Sequence, residues 1–144
     1  MRHENTIVYD KSLALMRTAQ VIIENLPKGF AFLADQLRRN TSSVHNNFAE
    51  GYYQDSRRQQ RRFFGYAIQS AREASASLDV ALAFRAANHE TVAQGKTLAL
   101  ELVRMLSKFD RPRSTRKQGS ETVFSTPSLQ DTGSQALRFG QGSK

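Results

Sequence analysis

Four arginines fall within one short run, Arg57-Arg58-Gln59-Gln60-Arg61-Arg62, which leads directly into Phe63-Phe64. Two more close the run Asp35-Gln36-Leu37-Arg38-Arg39. A guanidinium is a planar fork that can donate two hydrogen bonds to one oxyanion, so arginine suits phosphate better than lysine does. On a helix, four-residue spacing places Arg57 beside Arg61 and Arg58 beside Arg62, giving two adjacent stripes of charge. Like charges stacked in this way repel, and the arrangement is more comfortable with an anion or an acidic neighbour close by. Phosphate contact is one reading. A solvated helix end, with some arginines paired to Asp55 or Glu50, is the other. For Arg38 and Arg39 structural pairing comes first, because Asp35 lies four residues before Arg39, an ion pair worth about 0.3–0.5 kcal/mol.

Other chemistry is scarce. Tyr52 and Tyr53 flank the ladder and could stack on unpaired bases or pack at a subunit edge. Glu50 and Glu73 could pair with arginines across helices. As general acid and base they would need a pocket, and nothing in the sequence near them suggests one. The histidines are His3, His45 and His89, and surface or capping roles suit all three. No Glu-x-x-His occurs, which excludes the di-iron arrangement of helical bundles. Phosphate-binding and dinucleotide-binding glycine loops are absent, as is a nucleophile elbow. With no cysteine there is no disulfide framework and no thiolate zinc site. We therefore expect no metal, no cofactor and no catalytic residue: binding rather than an enzyme.

Net charge is +8 over 144 residues, and the isoelectric point is near 10.3. That balance favours a polyanionic partner, RNA or DNA, or else serves solubility alone. The polar start, Met1-Arg2-His3-Glu4-Asn5, has no apolar core of a secretory leader, and no apolar run approaches the roughly 20 residues that span a bilayer. A cytoplasmic protein without membrane contact is expected.

The elements that position the arginines follow from period and punctuation. A first helix is expected from Tyr9 to Asn25, with Leu13, Met16, Ala19, Ile22, Ile23 and Leu26 on one face. Leu26-Pro27-Lys28-Gly29 stops it. A second covers Phe30 to Ala49, with Phe30, Leu33, Leu37, Val44 and Phe48 inward and a polar gap at Asn40 or Thr41. Gly51 is expected as its left-handed cap. A third opens at Asp55 or Ser56 and runs to Ala87, burying Phe63, Phe64, Ala67, Ile68, Ala71, Ala74, Leu78, Ala81 and Leu82. Its Ala and Ser content suits close helix approach on more than one side. A fourth, capped by Asn88, covers Thr91 to Phe109 with Leu98, Leu102, Met105, Leu106 and Phe109 inward, and Gly95 weakens its first turns. Short connections make consecutive helices antiparallel. The expected fold is all-α, an up-down four-helix bundle over residues 1–109, with a disordered basic tail over 110–144.

Asp35-Gln36-Leu37-Arg38-Arg39, Asn47-Phe48-Ala49-Glu50-Gly51, Ser56-Arg57-Arg58, Arg61-Arg62-Phe63-Phe64 and Ala71-Arg72-Glu73 together resemble the four-helix-bundle proteins encoded in 23S rRNA intervening sequences. The resemblance runs from about Tyr9 to Phe109 and is strongest from Asp35 to Glu73. The fold is similar to that of accessory variability determinant proteins of diversity-generating retroelements, which are homopentamers that bind nucleic acid and a reverse transcriptase. The resemblance thus implies a homo-oligomer, a pentamer, with a basic surface. Val44-His45-Asn46 stands where the family usually has a small residue and a proline. The function expected is a non-catalytic accessory protein that binds RNA or DNA through Arg57, Arg58, Arg61 and Arg62, helped by Arg38, Arg39 and the tail. Its alternative is an adaptor whose basic face meets an acidic protein.

Overall fold

The computed structural model describes residues 3–110. They form four α-helices in chain order: α1 His3–Glu24, α2 Ala31–Tyr52, α3 Arg57–Ala83 and α4 His89–Asp110. Asp110 closes α4, and the rest of the expected tail lies outside the described residues. Consecutive helices run antiparallel through short connections; α2 packs on α1 and α3, and α4 packs on α3 and α1.

Each helix buries a seam stepped mainly by three and four residues. On α1 it is Asn5, Val8, Ser12, Leu15, Ala19 and Ile22. On α2 it is Leu33, Leu37, Thr41, Val44, Phe48 and Gly51. On α3 Phe64, Ala67, Ala71, Ala74, Leu78 and Ala81 carry it, and on α4 Val92, Ala99, Leu102 and Leu106 do. That spacing is the mark of bundle packing at shallow crossing angles. The seam of α1 departs from expectation. Leu13, Met16 and Ile23 are only half buried, while Ser12 and Leu15 take the centre. The polar residues Asn5 and Ser12 interrupt the apolar count there, so a purely hydrophobic pattern picks the neighbouring stripe.

The core has two halves. One contains Phe48, Phe64, Leu15, Leu102 and Leu106 with Phe109 against them. The other contains Ile22, Leu33, Leu37, Leu78 and Val92. Thr41 falls between them, buried, with its hydroxyl donating to the Leu37 carbonyl at 2.7 Å. The expected polar gap is thus a satisfied threonine and costs little.

Small side chains draw α2 and α3 together. Ser43 Oγ meets Ser70 Oγ at 2.8 Å, Asn47 donates to Ser43, and Asn40 donates to Ser77 Oγ at 3.3 Å. Gly51 completes this approach and is not the left-handed cap expected of it. It lies inside α2, buried, and among described glycines only Gly29, in the α1–α2 turn, has a positive φ, 99°. A Cβ at Gly51 would stand 2.8 Å from the ring of Phe64 and 3.0 Å from Phe63 Cβ. Gly95 likewise admits Leu78, where a Cβ would meet Leu78 Cδ1 at 2.8 Å. Both glycines are there for packing.

Helix α3 begins at Ser56 rather than Asp55: the Ser56 hydroxyl accepts from the Gln59 N–H at 3.4 Å. It ends earlier than expected, because Arg85 adopts φ 56°. Ala86 N–H then reaches the Ala81 carbonyl at 2.8 Å and Arg85 N–H the Leu82 carbonyl at 2.9 Å, the paired bonds that close a helix through a left-handed residue. Asn88 caps α4 as expected, its Oδ1 accepting from the Glu90 and Thr91 N–H groups.

Two glycine substitutions test this packing. Phe64 is 1% exposed and held between Phe48, stacked at 5.6 Å, and Phe109 at 5.3 Å, so it cannot yield to a new methyl. Gly51→Ala should therefore lower stability by about 1–2 kcal/mol despite the better helix propensity of alanine. Gly65, exposed with nothing near its missing Cβ, should gain roughly 0.5–1 kcal/mol on the same change. Urea midpoints of the two variants make the measurement.

Candidate nucleic-acid interface

Arg57, Arg58, Arg61 and Arg62 all lie exposed in the first two turns of α3. Phe63 and Phe64 follow directly and anchor the helix, so the ladder projects at the bundle end from a fixed base. The charge runs against local preference. The N-terminus of a helix carries a partial positive charge and favours acidic side chains, at about 0.3–1 kcal/mol each. α3 has no acidic residue in its first turn and two arginines there. Arg62 is held by its own helix: its Nε donates to the Tyr66 hydroxyl at 2.8 Å, and its guanidinium carbon lies 5.7 Å from that ring's centroid.

The structure separates the two expected arginine groups. Asn40 on α2 is level with Ser77 on α3, which places Arg38 and Arg39 some 15 to 20 residues along the bundle from the ladder. At 1.5 Å per residue that is roughly 25 Å. The ion pair there also differs from expectation. Arg38 Nη1, three residues on, meets Asp35 Oδ1 at 4.0 Å, with both side chains more than half exposed. Such a pair contributes little. Glu73 accepts from Gln69 within α3, and Glu50 accepts from Gln54, just past the end of α2.

The two tyrosines part company. Tyr52 is half buried and leans on Phe48 at 6.3 Å, whereas Tyr53 is 77% exposed. Tyr66, a further member not expected from the sequence, joins the site through Arg62. The four-residue spacing of that pair was the available signal.

His45 is also more than a surface residue. It is half buried between α1 and α2, its Nδ1 lies 2.8 Å from Ser12 Oγ, and its ring stands edge-on to Tyr9 at 4.7 Å. The Ser12 hydroxyl gives its one proton to the Tyr9 carbonyl at 2.7 Å. Nδ1 must then be the donor to Ser12, which leaves Nε2 as the nitrogen that titrates. Burial, which disfavours the imidazolium, holds the pKa below the ordinary histidine value.

Among the described residues no group of histidines and carboxylates could hold a metal, and no helix is long and apolar enough to cross a membrane.

An antiparallel four-helix bundle with an arginine-headed third helix is the class of protein these features define. The chain belongs to the 23S rRNA-intervening sequence protein family, whose model matches residues 4–108. A crystal structure of a protein of unknown function, from the S23 ribosomal protein family of Bacteroides thetaiotaomicron, shares the fold. Its TM-score is 0.67 at 19% identity, covering 73% of this chain and 99% of that one. No curated protein matches the chain.

The His45 contact gives a pH dependence. Because the folded pKa lies below the unfolded one, the unfolded chain binds more protons between the two values, and stability rises with pH across that window. The contribution is fully present above about pH 6.5 and is lost as pH falls through the lowered folded value. His45→Asn, whose amide nitrogen stands where Nδ1 does and can donate to Ser12 but cannot titrate, should lose less stability than the wild type between pH 7.5 and pH 5. Urea midpoints at the two pH values report the difference.

Proposed function

We propose that this chain is a non-catalytic accessory protein that binds RNA or DNA phosphates through Arg57, Arg58, Arg61 and Arg62. One observation carries the reading: four exposed arginines crowd the positive end of a helix dipole with no acidic residue in its first turn. The fold alone would be better served by carboxylates there. Sites that break a local rule in this way are commonly functional. The family's name, with its reference to 23S rRNA, accords with an RNA-related role. Contacts to phosphate carry no sequence information, so sequence preference is weak. Arg38 and Arg39, about 25 Å away along the axis at 1.5 Å per residue, extend the basic surface and do not complete the same contact.

Self-association into a pentamer, placing five ladders about one axis, would multiply the local potential. A reverse transcriptase or a ribonucleoprotein is the partner this reading suggests, as in diversity-generating retroelements. The adaptor alternative has its own support: Phe30, Phe32 and Phe84 cluster at the other end of the bundle, with Phe32 47% and Phe84 60% exposed. A protein partner captured after nuclease treatment, and lost on Phe84→Ser, would favour it.

The charge inversion makes the test sharp. Replacing Arg57 and Arg58 by Glu supplies acidic residues to the first turn and two Glu-to-Arg pairs at the favourable spacing. That variant should be about 1 kcal/mol more stable than the wild type and at least tenfold weaker for a polyanion. Reversing all four arginines should abolish binding with helicity intact. Unchanged affinity in a folded four-glutamate variant would remove the ladder from the interface.

A further inference from the structure

We infer that the arginine end of the bundle takes single-stranded polynucleotide in preference to duplex, with Tyr53 and Tyr66 as platforms for unpaired bases. The inference rests on the phosphate-binding reading of the ladder and names the form of its ligand.

Two aromatic rings stand out beside the arginines. Tyr53 follows α2 directly and is the most exposed large hydrophobic side chain among the described residues, at 77%. Its ring is set edge-on to Tyr52 at 5.1 Å and 87°, and Tyr52 leans in turn on buried Phe48. An edge-on neighbour braces a ring without covering both its faces. Tyr66 is 41% exposed and set edge-on to Phe63 at 6.0 Å. It also holds Arg62 by the Nε–hydroxyl bond of 2.8 Å. A fixed phenol and a fixed guanidinium are thereby presented together, one for a base and one for a neighbouring phosphate. The antiparallel packing that puts Gly51 against Phe63 and Phe64 brings the end of α2, and hence Tyr53, level with the first turns of α3.

An isolated exposed aromatic is ordinary. The exposed aromatics at the opposite end, Phe32 and Phe84, pack on one another and on Phe30. Tyr53 and Tyr66 instead flank four cations. A duplex keeps its base faces inside the stack and offers this surface only phosphates. An unpaired strand offers phosphates and base faces alike, the combination that arginines interleaved with tyrosines can use. Both ribose and deoxyribose strands carry that chemistry, so the discrimination concerns pairing and not the sugar.

The experiment is fluorescence anisotropy with labelled oligouridine and oligothymidine 15-mers and a 15-base-pair duplex, all at one salt concentration. The full-length chain should bind both single strands at least tenfold more tightly than the duplex. Tyr53→Ala should weaken single-strand binding about fivefold or more and leave duplex binding within twofold; Tyr66→Ala, which also releases Arg62, should weaken single-strand binding by about fivefold more than it weakens duplex binding. Tyr53→Phe, which keeps the ring, should stay near wild type, whereas Tyr66→Phe, which keeps the ring but releases Arg62 from its hydroxyl, should lose less single-strand affinity than Tyr66→Ala. Thermal melts establish that each variant is folded. Duplex binding as tight as single-strand binding, or alanine variants indistinguishable from wild type, overturns the inference while leaving the ladder in place. Failure of the folded wild type to bind any of the three probes overturns the ladder reading as well.

Discussion

The close approach of α2 and α3 is the constraint on which the rest of this structure depends. It is made by small residues: Gly51 against Phe64, Ser43 against Ser70, Asn40 against Ser77. Phe64 is wedged by that approach into the core with Phe48 and Phe109. Once Phe64 is fixed, the preceding two turns of α3 have one place to go, and their arginines extend past the last layer of the core. The same contact brings the end of α2 level with those turns, which sets Tyr53 beside them. Interhelical ion pairs play a smaller part. Lys11 bridges to Glu101 and Lys96 to Asp79, fastening α4 to its two neighbours near the surface, where such pairs contribute at most about 1 kcal/mol each.

Much of this was legible in the sequence. Four helices, their order, the Asn88 cap, a cap at Asp55 or Ser56 and most of the inward faces of α2 and α3 follow from period and punctuation; on α4 they give Leu102 and Leu106 but not Val92 and Ala99, while Leu98, Met105 and Phe109 are only half buried. The failures have physical causes. Gly51 looked like a cap because glycine is the usual left-handed residue, but a close helix crossing demands glycine equally, and the sequence does not distinguish the two. The seam of α1 lies beside its most hydrophobic stripe because it includes Asn5 and Ser12, which bury polar atoms that a hydrophobic count discards. Helix α3 stops short of Ala87 without a signal in the sequence, because arginine seldom adopts the left-handed conformation found at Arg85.

The candidate site was less legible than the fold. The ladder itself could be read from the sequence, but its relation to Arg38 and Arg39 required the register of α2 on α3. So did the different fates of Tyr52 and Tyr53, adjacent in sequence, the one half buried and the other exposed. The sequence suits His45 to a surface or capping role because a lone histidine signals nothing by spacing; its place between α1 and α2 rests on Ser12, thirty-three residues earlier. What emerges is a bundle whose two ends differ. One carries arginines and tyrosines, the other a cluster of phenylalanines, and the shaft between them is held by small residues and a satisfied polar layer.

Phosphate contact through the ladder is the central claim, and its most direct test is how binding responds to salt. Each phosphate neutralised on a single strand releases about 0.7 of a counterion, so four arginines should give a slope of log affinity against log salt near −3, steeper if chains associate. Anisotropy titrations of a labelled oligouridine at four or five potassium chloride concentrations yield that slope. A straight line at about −3 or steeper is the predicted result. An affinity that stays flat across the series would mean that something other than arginine–phosphate contact holds the strand, and would contradict the account.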